Sequence, residues 1–204
     1  DHYLASNHAE AFKNGDKGAP YCISCHKSLI TKSAFKDNKV EMKKAQEKLC
    51  LSCHLDNKDV RDRSTPSAGF IKAYDHSVHG FALHTKNNGD AANCIDCHNS
   101  HQIIKGTDSR SSVYKFNIPN TCGKCHSEIN KEFSESIHGQ LVAKGNGDAP
   151  SCTNCHGEHN ILRKDDPNSP VAFQNVSREI CSPCHSSVKL SEKYGISANR
   201  YKTF

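Results

Sequence analysis

Tryptophan is absent from this chain, methionine occurs once, and no apolar run approaches the roughly 18 residues of a membrane span. The first shortage removes the largest aromatic side chain from any core. The second means that a thioether cannot serve any site that recurs along the chain. The third leaves no transmembrane helix to be read from the sequence. Hydrophobic residues reach only 35% of the 204, with a mean hydropathy of -0.73. A core made from that stock must offset about 1–2 kcal/mol of backbone entropy for each residue ordered. Either much of the chain is disordered, or something other than amino acids supplies the interior. The chain opens on Asp1 and its one methionine is Met42, so it reads as a processed product or an excised portion. The net charge of +5 and pI near 8.6 come from Lys and Arg that are scattered rather than clustered. Solvated faces account for them, and no nucleic-acid partner is indicated.

Cysteine and histidine are abundant instead, with 12 and 14 copies. Every cysteine falls in the pattern Cys-x-x-Cys-His: Cys22/Cys25/His26, Cys50/Cys53/His54, Cys94/Cys97/His98, Cys122/Cys125/His126, Cys152/Cys155/His156 and Cys181/Cys184/His185. A disulfide framework gives no reason for a histidine after every second cysteine. A zinc ribbon uses two such pairs per metal and also leaves the histidines idle. A thioredoxin-like pair needs a βαβ context, of which there is no sign. Six motifs with no cysteine left over are the attachment signature of haem c, in which two thiols bond the porphyrin and the histidine takes the iron. Six haems in 204 residues supply the missing interior. Their propionates add roughly twelve negative charges, partly offset by ferric iron, so the basic pI belongs to the apoprotein alone.

The chain repeats itself. Ser6–His26, Ser77–His98 and Ser136–His156 each begin Ser-x-His, pass through Asn-Gly-Asp and enter a haem motif. His8, His79 and His138 precede their first cysteines by 14, 15 and 14 residues, and the second motif of each unit follows the first by 28, 28 and 29. Three diheme units result, 1–70, 71–130 and 131–204, within one continuous haem-packed domain. The expected fold is mostly irregular coil with short α-helices wrapped around a chain of haems, with little or no β-sheet. Each Asn-Gly-Asp reads as a tight turn with its glycine at positive φ. "DNKVEMKKAQEKLCLSCH" reads as a helix delivering Cys50. Ile129, Phe133 and Ile137 at spacing four mark a helix stopped at Gly139, and Ser177 reads as the N-cap of a turn entering Cys181. Pro167 and Pro170 mark a loop.

Eight histidines remain outside the motifs: His2, His8, His76, His79, His84, His101, His138 and His159. With methionine unavailable, six sixth ligands imply bis-histidine iron. The recurrence of His8, His79 and His138 assigns them as distal ligands. His101 and His159 lie three residues after His98 and His156, and residues three apart on a helical turn project the same way. They therefore cannot take the opposite face of the same haem and are expected to ligate a neighbour, most simply the other haem of their own unit. Leu29 stands at the matching place in the first unit, so one ligand must come from elsewhere. His76 is the first candidate, His2 the next, and His84 is expected at the surface.

With its six motifs and the Cys-x-x-Cys-His-x-x-His variant, the chain resembles the multihaem c-type cytochromes of bacteria and archaea that respire metals, sulfur or nitrogen compounds. The resemblance spans essentially the whole chain. It implies a periplasmic or extracellular electron carrier, working with other redox or haem proteins, that in some relatives self-associates into conducting filaments (nanowires). The alternative is a multihaem oxidoreductase that converts a small nitrogen or sulfur compound at an open iron. No motif has lysine in place of its histidine. The "NRYKTF" end, with Phe204 placed as Phe133 is before His138, leads to the expectation of a longer gene product with further haems.

Overall fold

The computed structural model describes residues 2–27, 32–64 and 68–197. Leu29 and Phe204 lie outside them. Among the described residues the chain is helical and coiled, with no strand.

Each unit opens in the same way. Ser6, Ser77 and Ser136 are extended and cap the short helices α1 (Asn7–Lys13), α6 (Val78–His84) and α10 (Ile137–Ala143), accepting from the backbone N–H three residues on. A tight loop follows, and then the first Cys-x-x-Cys-His motif of the unit forms a five-residue helix. These are α2 (Cys22–His26), α7 (Cys94–His98) and α11 (Cys152–His156). The third residue of each closes its N-terminus: the side chains of Ser24, Asp96 and Asn154 accept from the backbone N–H of Tyr21, Asn93 and Ser151. Between α2 and α6 run α3 (Lys39–His54), α4 (Lys58–Ser64) and α5 (Ala68–Lys72). The long α3 starts at the Asn38 cap and carries Cys50, Cys53 and His54 on its last turn. In the second unit α8 (Ile118–Gly123) and α9 (Ser127–Glu135) flank His126. In the third, α12 (Phe173–Asn175) runs through a π-helical turn at Val176–Cys181 into α13 (Ser182–His185), and α14 (Val188–Tyr194) closes the described chain.

Three local expectations change. The helix through Ile129 and Phe133 stops at Ser136, not Gly139. Ser136 breaks it and caps α10, and Gly139 lies inside α10 because the Phe133 carbonyl stands where a Cβ would go. Ser177 lies inside the π turn, and the helix begins at the Ala172 cap instead. Of the three Asn-Gly-Asp glycines only Gly15 has positive φ; in the other units the left-handed residue is Asn87 or Gly145. The recurring turn is made by Asp16, Asn88 and Asn146, whose side chains accept from the backbone N–H of Gly18, Asp90 and Asp148. Each sits six residues before its cysteine, so the first unit aligns on Asp16.

The side-chain core is thin. Buried hydrophobic residues are Ala9, Leu83, Ala91, Ile104, Ile118, Val142, Ala149 and Ala172, half of them alanine. Ile23, Ile129, Ile137, Phe173 and Val188 are exposed. Polar ties carry the architecture between these elements. In the second unit Asn117 donates to the carbonyls of Ser109 and Ser111; in the third Asn175 donates to those of Pro167 and Ser169, pinning equivalent loops. Tyr3 and Tyr74 donate to the carbonyls of Pro20 and Ala92, both at 2.7 Å, tying the start of a unit to its first Cys-x-x-Cys-His motif.

Candidate functional site

Five of the six motif histidines face a second imidazole. His54 faces His8 at 6.0 Å between ring centres, His26 faces His101 at 5.9 Å, and His126 faces His79 at 6.2 Å. His98 faces His159 at 6.0 Å, and His185 faces His138 at 6.2 Å. Every pair joins one motif histidine to one non-motif histidine. The separation hardly varies, while the interplanar angles run from 17° to 53°. Rings held by mutual contact are fixed in orientation by their quadrupoles. Here distance is constant and orientation is not. Two trans metal–nitrogen bonds of about 2 Å, with each ring centre about 1 Å beyond its nitrogen, put two ring centres about 6 Å apart. The donor set therefore fits one iron between each pair.

Burial favours the metal-binding protonation state. It lowers the pKa of His8, His54, His79, His138 and His159, and it pushes His98 down to about 4 with His159 adding to the effect. Each shift favours the neutral ring, the form that ligation requires. The Nδ1 of His159 is buried with no hydrogen-bond partner, an orphan that a ligand role would explain.

None of the twelve cysteines is in a disulfide, and they stand in six Cys-x-x-Cys pairs, each followed by its motif histidine. Their mutual influence gives the order of the motifs in space. Cys25 feels Cys50 and Cys53, Cys97 feels Cys122 and Cys125, and Cys155 feels Cys181 and Cys184. Across unit boundaries Cys50 lies against Cys94, and Cys122 against Cys152. The six motifs thus follow one another in chain order.

His101 and His159 do not turn back on their own units. Each reaches the first motif of the unit before it. The reason is local: Asn99 has φ 63° and Gly157 has φ 78°, so the motif helix ends at the histidine and the chain swings away. The strap that follows is tied down on the preceding unit. Asn7 N–H donates to the Ile103 carbonyl at 2.9 Å, Lys105 N–H to Asn7 Oδ1 at 2.7 Å, and Val78 N–H to the Ile161 carbonyl at 2.8 Å. Phe70 packs edge-on against His159 at 4.4 Å. The left-handed residue just after the motif was readable in "CHN" and "CHG", against "CHK" in the first unit.

His76, the first candidate for the remaining ligand, is exposed and faces none of the six motif histidines; His2 is likewise exposed. His84 is held by Glu47 at 2.8 Å, with Asp75 completing a small polar cluster. The motif histidine without an internal partner is His156 of the third unit. Among the described residues, which include every histidine, no second imidazole pairs with His156, and its neighbouring ring His126 is already taken by His79.

Lys43, which the motifs did not single out, stitches the first two units together. Its ammonium donates to the Ala91 carbonyl at 2.6 Å and to Asp96 at 2.8 Å, while Asn93 donates to Gln46 at 3.0 Å. This clasp fixes α3 against α7, and so Cys50 against Cys94. No described helix is long and apolar enough to cross a membrane. No protein-family profile, curated protein or solved structure matches the chain.

Proposed function

We propose that this protein is an electron carrier that holds six covalently bound haems c in a single file and performs no bond chemistry of its own. The observation that carries the reading is the set of five imidazole pairs, each joining a motif histidine to a non-motif one at 5.9–6.2 Å.

When bound, haem supplies a one-electron iron couple. The chain's residues do the rest. The cysteine pairs fix each porphyrin beside its neighbour in chain order. The paired histidines would hold an iron in either oxidation state, which would keep reorganisation small, and two imidazoles would set its potential below that of a histidine–methionine site. Straps carrying His101 and His159 set the spacing between units, because each belongs to one motif and ligates another. Low-potential respiration in the periplasm or outside the cell is the setting that this chemistry and the resemblance suit, with other haem or redox proteins as partners.

A second reading, an oxidoreductase acting on a small nitrogen or sulfur compound, draws on one observation: His156 lacks a second imidazole. The test of the carrier reading is the haem content and spin state of the purified protein. Six haems per chain by pyridine haemochrome and intact mass, with mainly low-spin ferric signals, is the expected result. A colourless chain, or irons mainly five-coordinate, would overturn it.

A further inference from the structure

The three units use one rule for their ligands. The second motif of each takes a histidine from its own unit's opening helix: His54 from His8, His126 from His79, His185 from His138. The first motif takes its histidine from the strap of the next unit along the chain: His26 from His101, His98 from His159. His156 is the first motif of the third unit, and its place in the rule is open.

A second, independent observation concerns the backbone. The residue between the capping serine and the opening histidine is where the next strap docks. Asn7 and Val78 give their N–H groups to the carbonyls of Ile103 and Ile161, and the adjacent Ser6 and Ser77 are 2% and 1% exposed. The third equivalent, Ile137, makes no such bond among the described residues, and it is 66% exposed. An apolar side chain and a free N–H stand uncovered at the position that a strap covers twice elsewhere.

We infer that the iron at His156 takes its sixth ligand from a fourth unit of the same polypeptide, through a histidine three residues after that unit's Cys-x-x-Cys-His, while the backbone of that strap docks on Ile137. The inference rests on the haem reading proposed above. The donors follow their acceptors by 75 and 61 residues. A second copy of residues 1–204 cannot supply the same contact. Its His101 and His159 are engaged, and three residues after its His26 the sequence has Leu29 in place of a histidine.

The experiment compares the holoprotein of residues 1–204 with the chain isolated from its native source. Haem content comes first: fewer than six haems on residues 1–204 defeats the haem reading itself, whatever follows. With six present, the reduced 1–204 protein is expected to bind one equivalent of carbon monoxide, and its ferric form one equivalent of free imidazole. The native chain is expected to bind none at the His156 iron, and replacing its strap histidine with alanine restores that one equivalent. Amide exchange gives a readout that does not depend on iron. Ile137 exchanges fast in 1–204 and slowly in the native chain, while Asn7 and Val78 are protected in both. Three results overturn the inference. One is a six-haem 1–204 monomer that binds no carbon monoxide. The second is a native chain that still binds one equivalent at the His156 iron. The third is a site that closes only as 1–204 self-associates and reopens in His2→Ala or His76→Ala.

Discussion

Lys43→Met separates a structural clasp from ordinary surface charge. The Lys43 side chain is 13% exposed and its ammonium serves two acceptors, the Ala91 carbonyl on a residue 7% exposed and the carboxylate of Asp96. Methionine keeps most of the stem and removes the donor. A buried carbonyl left without a partner costs about 1–3 kcal/mol. Asp96 is 39% exposed and still accepts from Asn93 N–H, so solvent absorbs much of the lost ion pair, and that loss adds at most about 1 kcal/mol. The expected destabilisation is therefore about 2–3 kcal/mol. Lys39→Met is the internal control. Lys39 also bridges α3 to the second unit, through Asp90 at 2.9 Å, but the two side chains are 59% and 82% exposed, so the change should stay within about 0.5 kcal/mol. Denaturant unfolding of both variants, followed by far-ultraviolet circular dichroism and by the Soret band, compares them. Equal losses in the two variants would refute the reasoning, because burial of the acceptor would then count for nothing.

Further outcomes follow from the same geometry. His101→Ala should open the iron at His26 and add one carbon monoxide equivalent per chain, whereas His84→Ala should add none; gas titration of the reduced protein reads the difference. Gly80→Ala and Gly139→Ala should each cost about 2 kcal/mol or more, since the added carbon meets the Tyr74 or Phe133 carbonyl, whereas Gly147→Ala, with open space around it, should be near neutral in thermal melts. Glu47 is 3% exposed, and burial raises its pKa above the ordinary 4.5, with His84 opposing and Asp75 adding to the rise. The folded state thus holds the proton more tightly, so stability is lost as pH climbs from 4.5 through the raised value. The melting temperature of Glu47→Gln minus that of the unsubstituted protein should grow with pH across that window, and a flat or falling difference would count against the buried carboxyl.

The sequence carried the element types well, because the motifs and caps are local. The helix entering Cys50 starts at Asn38 and ends at His54, as its composition implies, and the absence of strand follows from the absence of alternation. Pairing partners were harder. His8, His79 and His138 recur at fixed places, which marks them as special, but nothing in a spacing of 14 residues says that they face the second motif rather than the first. His101 and His159 were legible as bridging residues, yet their direction depended on the left-handed Asn99 and Gly157, which turn the strap to the previous unit. His76 drew attention through its neighbour His79, but a 3-10 turn and the Ser77 cap leave it facing solvent. Tertiary placement decided these cases, and Lys43 was invisible for the same reason: a lysine within a run of charged residues shows its role only when Ala91 and Asp96 arrive from another unit.

Ferric electron paramagnetic resonance on the pure 1–204 holoprotein tests the account most directly. Five low-spin bis-imidazole irons and one high-spin or readily exchangeable iron per chain is the predicted spectrum. Irons that are mostly high-spin, or a chain without bound haem, would contradict it.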